Sequence, residues 1–274
     1  MGIVNVTPDS FSDRGLFAGT DAAVAHALQL VEQGADLLDI GGESSRPGAV
    51  PVPLDEEMQR VLPVVQRLAG AVSVPISIDT CKAAVAHACL AAGAHIINDI
   101  TALNGDPAMV EAARTTGAGV ILMHMQGTPA TMQLNPHYGS VVDDLLRFFE
   151  ERLQVLPNQG IAAEQLALDP GIGFGKTTEH NLELLARLGE FQRFGRPVCL
   201  GASRKGGIGK VLKRPVEQRL AGSLAVVLYA MSRSAAQIVR VHDVAETRDV
   251  VVMWEALEGM KKGPELGETT GAAL

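Results

Sequence analysis

Several protein classes are excluded by what this sequence lacks. It has three cysteines, Cys81, Cys89 and Cys199, an odd number with no metal-ligand spacing. That argues against a disulfide framework and for buried thiols in a reducing compartment. No apolar run approaches the ~18 residues that a membrane span needs. Met1 to Val6 leads directly into structured sequence, without the pattern of a signal peptide. Basic residues are in the minority, 23 against 31 acidic, for a net charge of −8. This disfavours a nucleic-acid surface while leaving room for a local anion pocket. What is present is a globular composition, 47% hydrophobic and 20% charged over 274 residues, enough for a sizeable core. The expectation is a cytoplasmic protein with neither nucleic-acid nor membrane partners.

A repeated junction organises the chain. Gly34-Ala35, Gly93-Ala94 and Gly117-Ala118 each close an amphipathic stretch and precede a short apolar run. Glycine there suits the left-handed end of a helix, and the run that follows suits a buried strand. Reading outward predicts eight strands, at 2–6, 37–40, 76–78, 96–98, 120–123, 166–168, 198–200 and 238–241. Helical patterns lie between and after them, at 21–33, 54–68, 81–92, from Asp106-Pro107 onward, 140–158, 178–194, 216–232 and 243–259. Thr20 is expected to cap the first helix, and Asp243 with Glu246 the last. Eight strand–helix units without a linker predict a single (β/α)8 TIM barrel over residues 1–260. The competing arrangement is a doubly wound open sheet. The segment 261–274, rich in glycine, threonine and glutamate, reads as a disordered tail.

In such a barrel the site collects at the C-terminal strand ends. Those ends carry Asn5, Asp39 with Glu43, Asp79, Asn98 with Asp99, His124, Asp169, Ser203-Arg204-Lys205, and Arg240 with His242. Each alone could be a strand-end cap. Together they would bury too many polar groups without a ligand to justify them. Asp79, Asn98 and Asp169 suit the N–H-rich edge of a flat heterocycle. Asn5, Arg46, Arg240 and His242 suit an anion, since guanidinium pairs with phosphate oxygens bidentately. Lys205 adjoins both groups and is preferred to Lys176 as the functional lysine. A heterocycle and a phosphate in one pocket suggest group transfer with pyrophosphate leaving. The loops 7–15 and 41–48, after the first two strands, are expected to be mobile lids over the substrate.

The segments MGIVNVTPDSFSDRG, GGESSRPG, SIDT, HIINDI, LMHMQG, DPGIGFGK, SRK and RVHDV, in this order, resemble the dihydropteroate synthases of folate biosynthesis. The resemblance implies a barrel, usually a homodimer, that uses Mg2+. It implies condensation of (7,8-dihydropterin-6-yl)methyl diphosphate with 4-aminobenzoate, releasing pyrophosphate. Carried over by position, Asp79, Asn98, Asp169 and Lys205 would bind the pterin, with Ile100 and Met123 packed on its ring. Asn5 would bind Mg2+ and, with Arg46, Arg240 and His242, the diphosphate. Phe11, Ser45, Pro47, Phe174 and Lys205 would surround the 4-aminobenzoate, and Asp9 and Asp13 would belong to the first lid. Asp79, Asp169, Lys205, Arg240 and His242 would carry catalysis. The chain departs from the family pattern at three places. Ser45 replaces a threonine, Arg14 a glycine, and Gly206-Gly207 a serine and a bulky apolar residue. The rival readings are a pterin-binding methyltransferase barrel and an inactive pterin-binding paralogue. The first should lack the SRK, RVHDV and NVTPDSFSD segments present here.

Overall fold

A computed structural model describes residues 1–7 and 15–261, with the backbone alone described at 15–18 and 261. Eight short parallel strands alternate with helices: β1 Gly2–Asn5, β2 Leu38–Gly41, β3 Ile76–Asp79, β4 Ile96–Asp99, β5 Gly119–Met123, β6 Leu166–Asp169, β7 Cys199–Leu200 and β8 Ile238–Val239. The first six form one sheet in chain order, and β7 pairs with β8. Two parallel bridges join these pieces into a ring, Leu168 with Val198 and Gly2 with Val241. The seam between the last strand and the first is bonded in both directions, Ile3 N to Val241 O at 3.1 Å and Val241 N to Met1 O at 3.0 Å. The sheet therefore closes as the predicted barrel, and the open-sheet alternative is excluded.

Strand side chains alternate with period two. Val4, Leu38, Ile40, Ile76, Ile78, Ile97, Val120, Leu122, Leu166 and Leu168 face the helices and are at most 1% exposed. The opposite parity fills the barrel. At its lower end Ile121, Ala167 and Cys199 form an apolar plug with Met1, Leu37, Ile96 and Ile238. One layer higher the same parity gives Asn5, Gly41, Asp79, Asn98, Met123 and Asp169 at the strand ends. The functional layer is thus the polar continuation of the barrel core.

The surrounding helices are α1 Gly15–Glu32, α2 Leu54–Ala69, α3 Ala83–Ala91, α4 Met109–Thr116, α5 Val141–Asn158, α6 Thr178–Ala186, α7 Gly206–Leu212, α8 Leu220–Met231 and α9 Val244–Lys261. Local chemistry explains several boundaries. The acids Asp55, Glu56 and Glu57 open α2 and Arg67 closes it, matching the helix dipole. Thr177 accepts from His180 N at 3.2 Å to cap α6. Gly117, at φ +67°, ends α4 in the left-handed form its junction implies.

Other boundaries differ from expectation. The first helix begins at Gly15, so Thr20 lies inside α1, buried, and is not its cap. The 178–194 pattern divides at Arg187 into α6 and a 3-10 turn, Leu188–Phe194. The 216–232 pattern likewise divides into a 3-10 turn, Val216–Gln218, and α8. A helix absent from the sequence reading, α7, follows β7 directly. The tail beyond Lys261 and most of the first loop, with Asp9, Phe11, Asp13 and Arg14, lie outside the described residues. No described helix is long and apolar enough to cross a membrane.

Candidate active site

The barrel mouth is organised around one guanidinium. Arg240, just past β8, donates from Nε to Asp39 Oδ2 at 2.6 Å and from Nη2 to Asp79 Oδ2 at 2.8 Å. Asp39 belongs to β2, is fully buried, and also accepts from Asn98 Nδ2 at 3.1 Å. That bond fixes the amide of Asn98 with its oxygen available to a ligand. Asp39 Oδ1 has no hydrogen-bond partner although it is buried. Such an orphaned carboxylate oxygen is costly in a protein interior and marks a place where the fold serves something besides its own stability.

Burial then raises the two acids that end β3 and β6. Asp79 is pushed up to about 7, by desolvation first, with Asp39 adding to the rise and Arg240 opposing it. Asp169, at the end of β6, is raised by burial against its bond from Gly171 N (2.7 Å) and the nearby cations Lys205, Arg240 and Lys176. Lys205, at the foot of α7, is lowered to about 8 by burial and by Arg240. Its ammonium stands over the Phe174 ring, 4.1 Å from the centroid, in cation–π geometry. Acceptors, a flat aromatic wall and a displaceable lysine therefore adjoin one another.

The loop 170–176 that carries Phe174 is held from beneath. Lys176 is 2% exposed. Its Nζ donates to the carbonyl oxygens of Gly171 (3.0 Å), Phe174 (2.9 Å) and His124 (3.2 Å), and lies 3.1 Å from His124 Nδ1. Three carbonyls need three N–H donors, which an ammonium supplies. Lys176 is thus a clamp for the loop, and His124 a member of that clamp. Gly171 permits the close turn. It has φ +65°, and a Cβ there would lie 2.0 Å from His124 O.

The predicted site residues separate on inspection. Asp79, Asn98, Met123, Asp169 and Arg240 converge on the mouth, Ile100 follows β4 immediately, and Asn5 ends β1 half-buried. Arg240, expected on the anion side, instead binds the two acids Asp39 and Asp79, so the heterocycle and anion halves meet at this residue. His242 is exposed and its Nδ1 lies 3.0 Å from Ser203 Oγ. Ser45 is half-buried on the loop after β2, and Arg46 and Pro47 are exposed there. Two of the polar strand ends turn out to be structural. Asp99 accepts from Thr101 N and Oγ1 and from Leu103 N, which builds the β4 exit turn. Arg204 pairs with both oxygens of Asp243 and so joins the β7 exit to the start of α9. Asp39 stands among the polar strand ends of the sequence reading but, like Glu43 and His124, is given no particular role there. A carboxylate between Leu38 and Ile40, on the inward parity of a buried strand, was the available signal.

Acids and amides with a cationic partner thus gather at the C-terminal mouth of a closed barrel, and comparison with known proteins shows the class to which such a barrel belongs. The profile of the family described as "Pterin binding enzyme" matches residues 1–242. The dihydropteroate synthase of Escherichia coli strain K12 is 48% identical over 262 residues, covering 96% of this chain and 92% of the relative. The solved Yersinia pestis dihydropteroate synthase with a sulfonamide drug superposes at TM-score 0.89, with 48% identity and 94% of each chain covered. The Xanthomonas albilineans dihydropteroate synthase with 4-aminobenzoic acid gives TM-score 0.89 and 49% identity, covering 94% of this chain and 92% of the other. This chain belongs to the dihydropteroate synthase family.

Proposed function

We propose that the chain joins 4-aminobenzoate to (7,8-dihydropterin-6-yl)methyl diphosphate, releasing pyrophosphate and giving 7,8-dihydropteroate for folate biosynthesis. The observation that carries this reading is the shared mouth. Acceptors on β3, β4 and β6, the last two buried, adjoin Arg240 and Lys205, so a nitrogen heterocycle and an anionic leaving group fit one pocket.

Asp169, Asn98 and Asp79 take the N–H edge of the pterin, with Met123 and Ile100 packed on its ring. Asn5, Arg46, Arg240 and His242 receive the diphosphate. Phe174, Lys205, Ser45 and Pro47 surround the arylamine together with Phe11, while Asp9 and Asp13 belong to the covering loop. The sequence is dissociative. The bond between the pterin methylene and the diphosphate oxygen breaks, and its electron pair leaves with pyrophosphate towards Arg240 and His242. The positive charge left on the pterin and its methylene faces Asp79 and Asp169, whose burial makes their field strong. The amine nitrogen then forms the new C–N bond and sheds one proton. No covalent enzyme intermediate is required, and Lys205 orients its neighbours as a donor.

Among the described residues no three His, Cys, Asp or Glu side chains gather as a metal site. The chemistry of the donor set nevertheless fits Mg2+ carried on the diphosphate. Such an ion keeps its phosphate and water ligands and takes only one or two from protein. Asn5 would hold it, and it would neutralise leaving-group charge. The barrel of residues 1–260 is read as a single cytoplasmic unit that forms a homodimer. The exposed apolar side chains Leu182 of α6, Val211 and Leu212 of α7, and Leu228 and Tyr229 of α8 offer a surface for it.

Purified protein given Mg2+, the pterin diphosphate and 4-aminobenzoate is expected to release pyrophosphate. Tight pterin binding with no pyrophosphate above a no-enzyme blank would overturn the reading in favour of an inactive paralogue.

A further inference from the structure

The loop after β2 is held at its root by a charged network that the proposed chemistry does not use. Gly42 has no room for a side chain, since a Cβ would lie 2.7 Å from Val61 Cγ1 and 3.1 Å from Glu57 Cγ. Its carbonyl oxygen accepts from Arg60 Nη1 of α2 at 2.7 Å. The next residue, Glu43, pairs with Lys82 Nζ, and the same ammonium pairs with Glu57 of α2. Glu57 is fully buried, and its Oε1 accepts from Thr80 Oγ1 at 2.6 Å. One lysine therefore ties the loop root to both α2 and the β3 exit.

Past Glu43 the attachment changes. Arg46 N to Ser44 Oγ (3.4 Å) and Ala49 N to Arg46 O (3.0 Å) are bonds within the loop itself. Gly48 N to Pro129 O, at 3.0 Å, joins its tip to the loop after β5. An open cavity of about 300 Å³ is lined by Thr7, Ser44, Arg46, Pro47 and Arg60 among others. Among the described residues the segment from Ser44 onward is thus held by bonds of its own and one to the loop after β5, whereas Gly42 and Glu43 are held by side chains of α2 and the β3 exit.

We propose that Glu43, held by Lys82, is a positioning residue for the second substrate. It fixes the hinge of the loop after residue 43, so that Ser45, Arg46 and Pro47 close as one unit over the arylamine. This rests on the proposed function in one respect, that the loop covers 4-aminobenzoate. The buried Glu57 explains why the anchor is charged. Without its ammonium, Glu57 would be an uncompensated charge in the core, so folding itself sets Lys82 in place. Glu43 then borrows a cation that is already fixed.

Glu43→Ala separates the anchor from the fold, because the Lys82–Glu57 pair remains. The variant should raise KM for 4-aminobenzoate about tenfold or more, the scale of one charge-assisted bond. Its kcat and its affinity for the pterin diphosphate should stay within about twofold of wild type. Lys82→Arg, which keeps both pairs, should behave as wild type. Lys82→Met should show the same KM rise together with a lowered Tm. Hydrogen exchange, which needs no turnover, should quicken at 44–52 in Glu43→Ala and stay unchanged at 171–176. An unchanged arylamine KM, or equal rises for both substrates, overturns the inference, as does unchanged exchange at 44–52. Wild-type protein that releases no pyrophosphate defeats the proposed function instead, and the exchange measurement still decides the hinge.

Discussion

Asp39 is the most informative residue to perturb, because it touches both halves of the site and contacts solvent nowhere. Asp39→Asn keeps the shape and removes the charge. Arg240 then loses an ionic partner at Nε and retains Asp79 at Nη2. A charge-assisted bond contributes about 1.5–3 kcal/mol, and a neutral amide oxygen at the same place restores about 1. The net loss is about 0.5–2 kcal/mol, so kcat/KM should fall about 2- to 30-fold if the aimed guanidinium is needed in the transition state. In a chain of this size the same loss lowers Tm by about 1–8 °C. A second effect has the opposite sign on charge. Asp39 helps to hold Asp79 up at about 7. Removing its charge moves the acid limb of the pH–rate profile to lower pH. Asp39→Leu is harsher, because it also strips the acceptor from Asn98 and leaves Arg240 partly unpaired in a buried place, at a cost of about 3–5 kcal/mol. Pyrophosphate release against pH, with Tm by calorimetry, reads all of these. Wild-type kcat/KM, Tm and pH profile in Asp39→Leu would refute the argument that Asp39 aims Arg240.

Two further outcomes follow from the geometry. In wild type, kcat/KM for the pterin diphosphate should fall about tenfold per pH unit below about 7, as Asp79 takes up a proton and ceases to stabilise cationic charge. The folded pKa of Asp79 lies above its unfolded value. Its contribution to stability is therefore fully present below about pH 4 and lost as pH rises through 7. Asp79→Asn should lack that component of the Tm–pH curve, and a curve unchanged from wild type would contradict the assignment. Gly171→Ala combines φ +65° with a Cβ placed 2.0 Å from His124 O and 3.3 Å from Met123 Cγ. It should lower stability by about 2–4 kcal/mol in urea titrations and displace Phe174. A wild-type midpoint would mean that the loop has slack which the close packing does not suggest.

The residues that were legible in advance share a physical cause. A barrel strand buried on both faces must be apolar, so Asp79, Asn98 and Asp169 stand out as polar residues ending apolar runs. The glycine junctions were legible for a related reason, since the left-handed backbone at Gly34, Gly93 and Gly117 disfavours side chains. Helix limits were less so. Nothing local distinguishes Thr20 as a cap from Thr20 as a buried helical residue, and the difference lies in what packs against it. The division of 178–194 and 216–232 into a 3-10 segment and an α-helix is equally unmarked by the apolar periodicity. Arg204 and Lys205 are neighbours of similar charge, yet one joins α9 through Asp243 and the other faces the Phe174 ring.

By itself the sequence determined the number and order of strand–helix units, the polar layer at their ends and the resemblance to a pterin-binding family. Hydrophobic period and backbone-compatible residues are local properties, and local properties are written along the chain. Only the tertiary structure decided which charges meet. Closing the ring brings β8 round to β1 and β2, which puts Arg240 against Asp39 across 201 residues of separation and against Asp79 across 161. Burial of Asp79 in that cluster then raises its pKa. Position in the chain holds no information about desolvation, and so the electrostatics of the mouth emerged only once the barrel was closed.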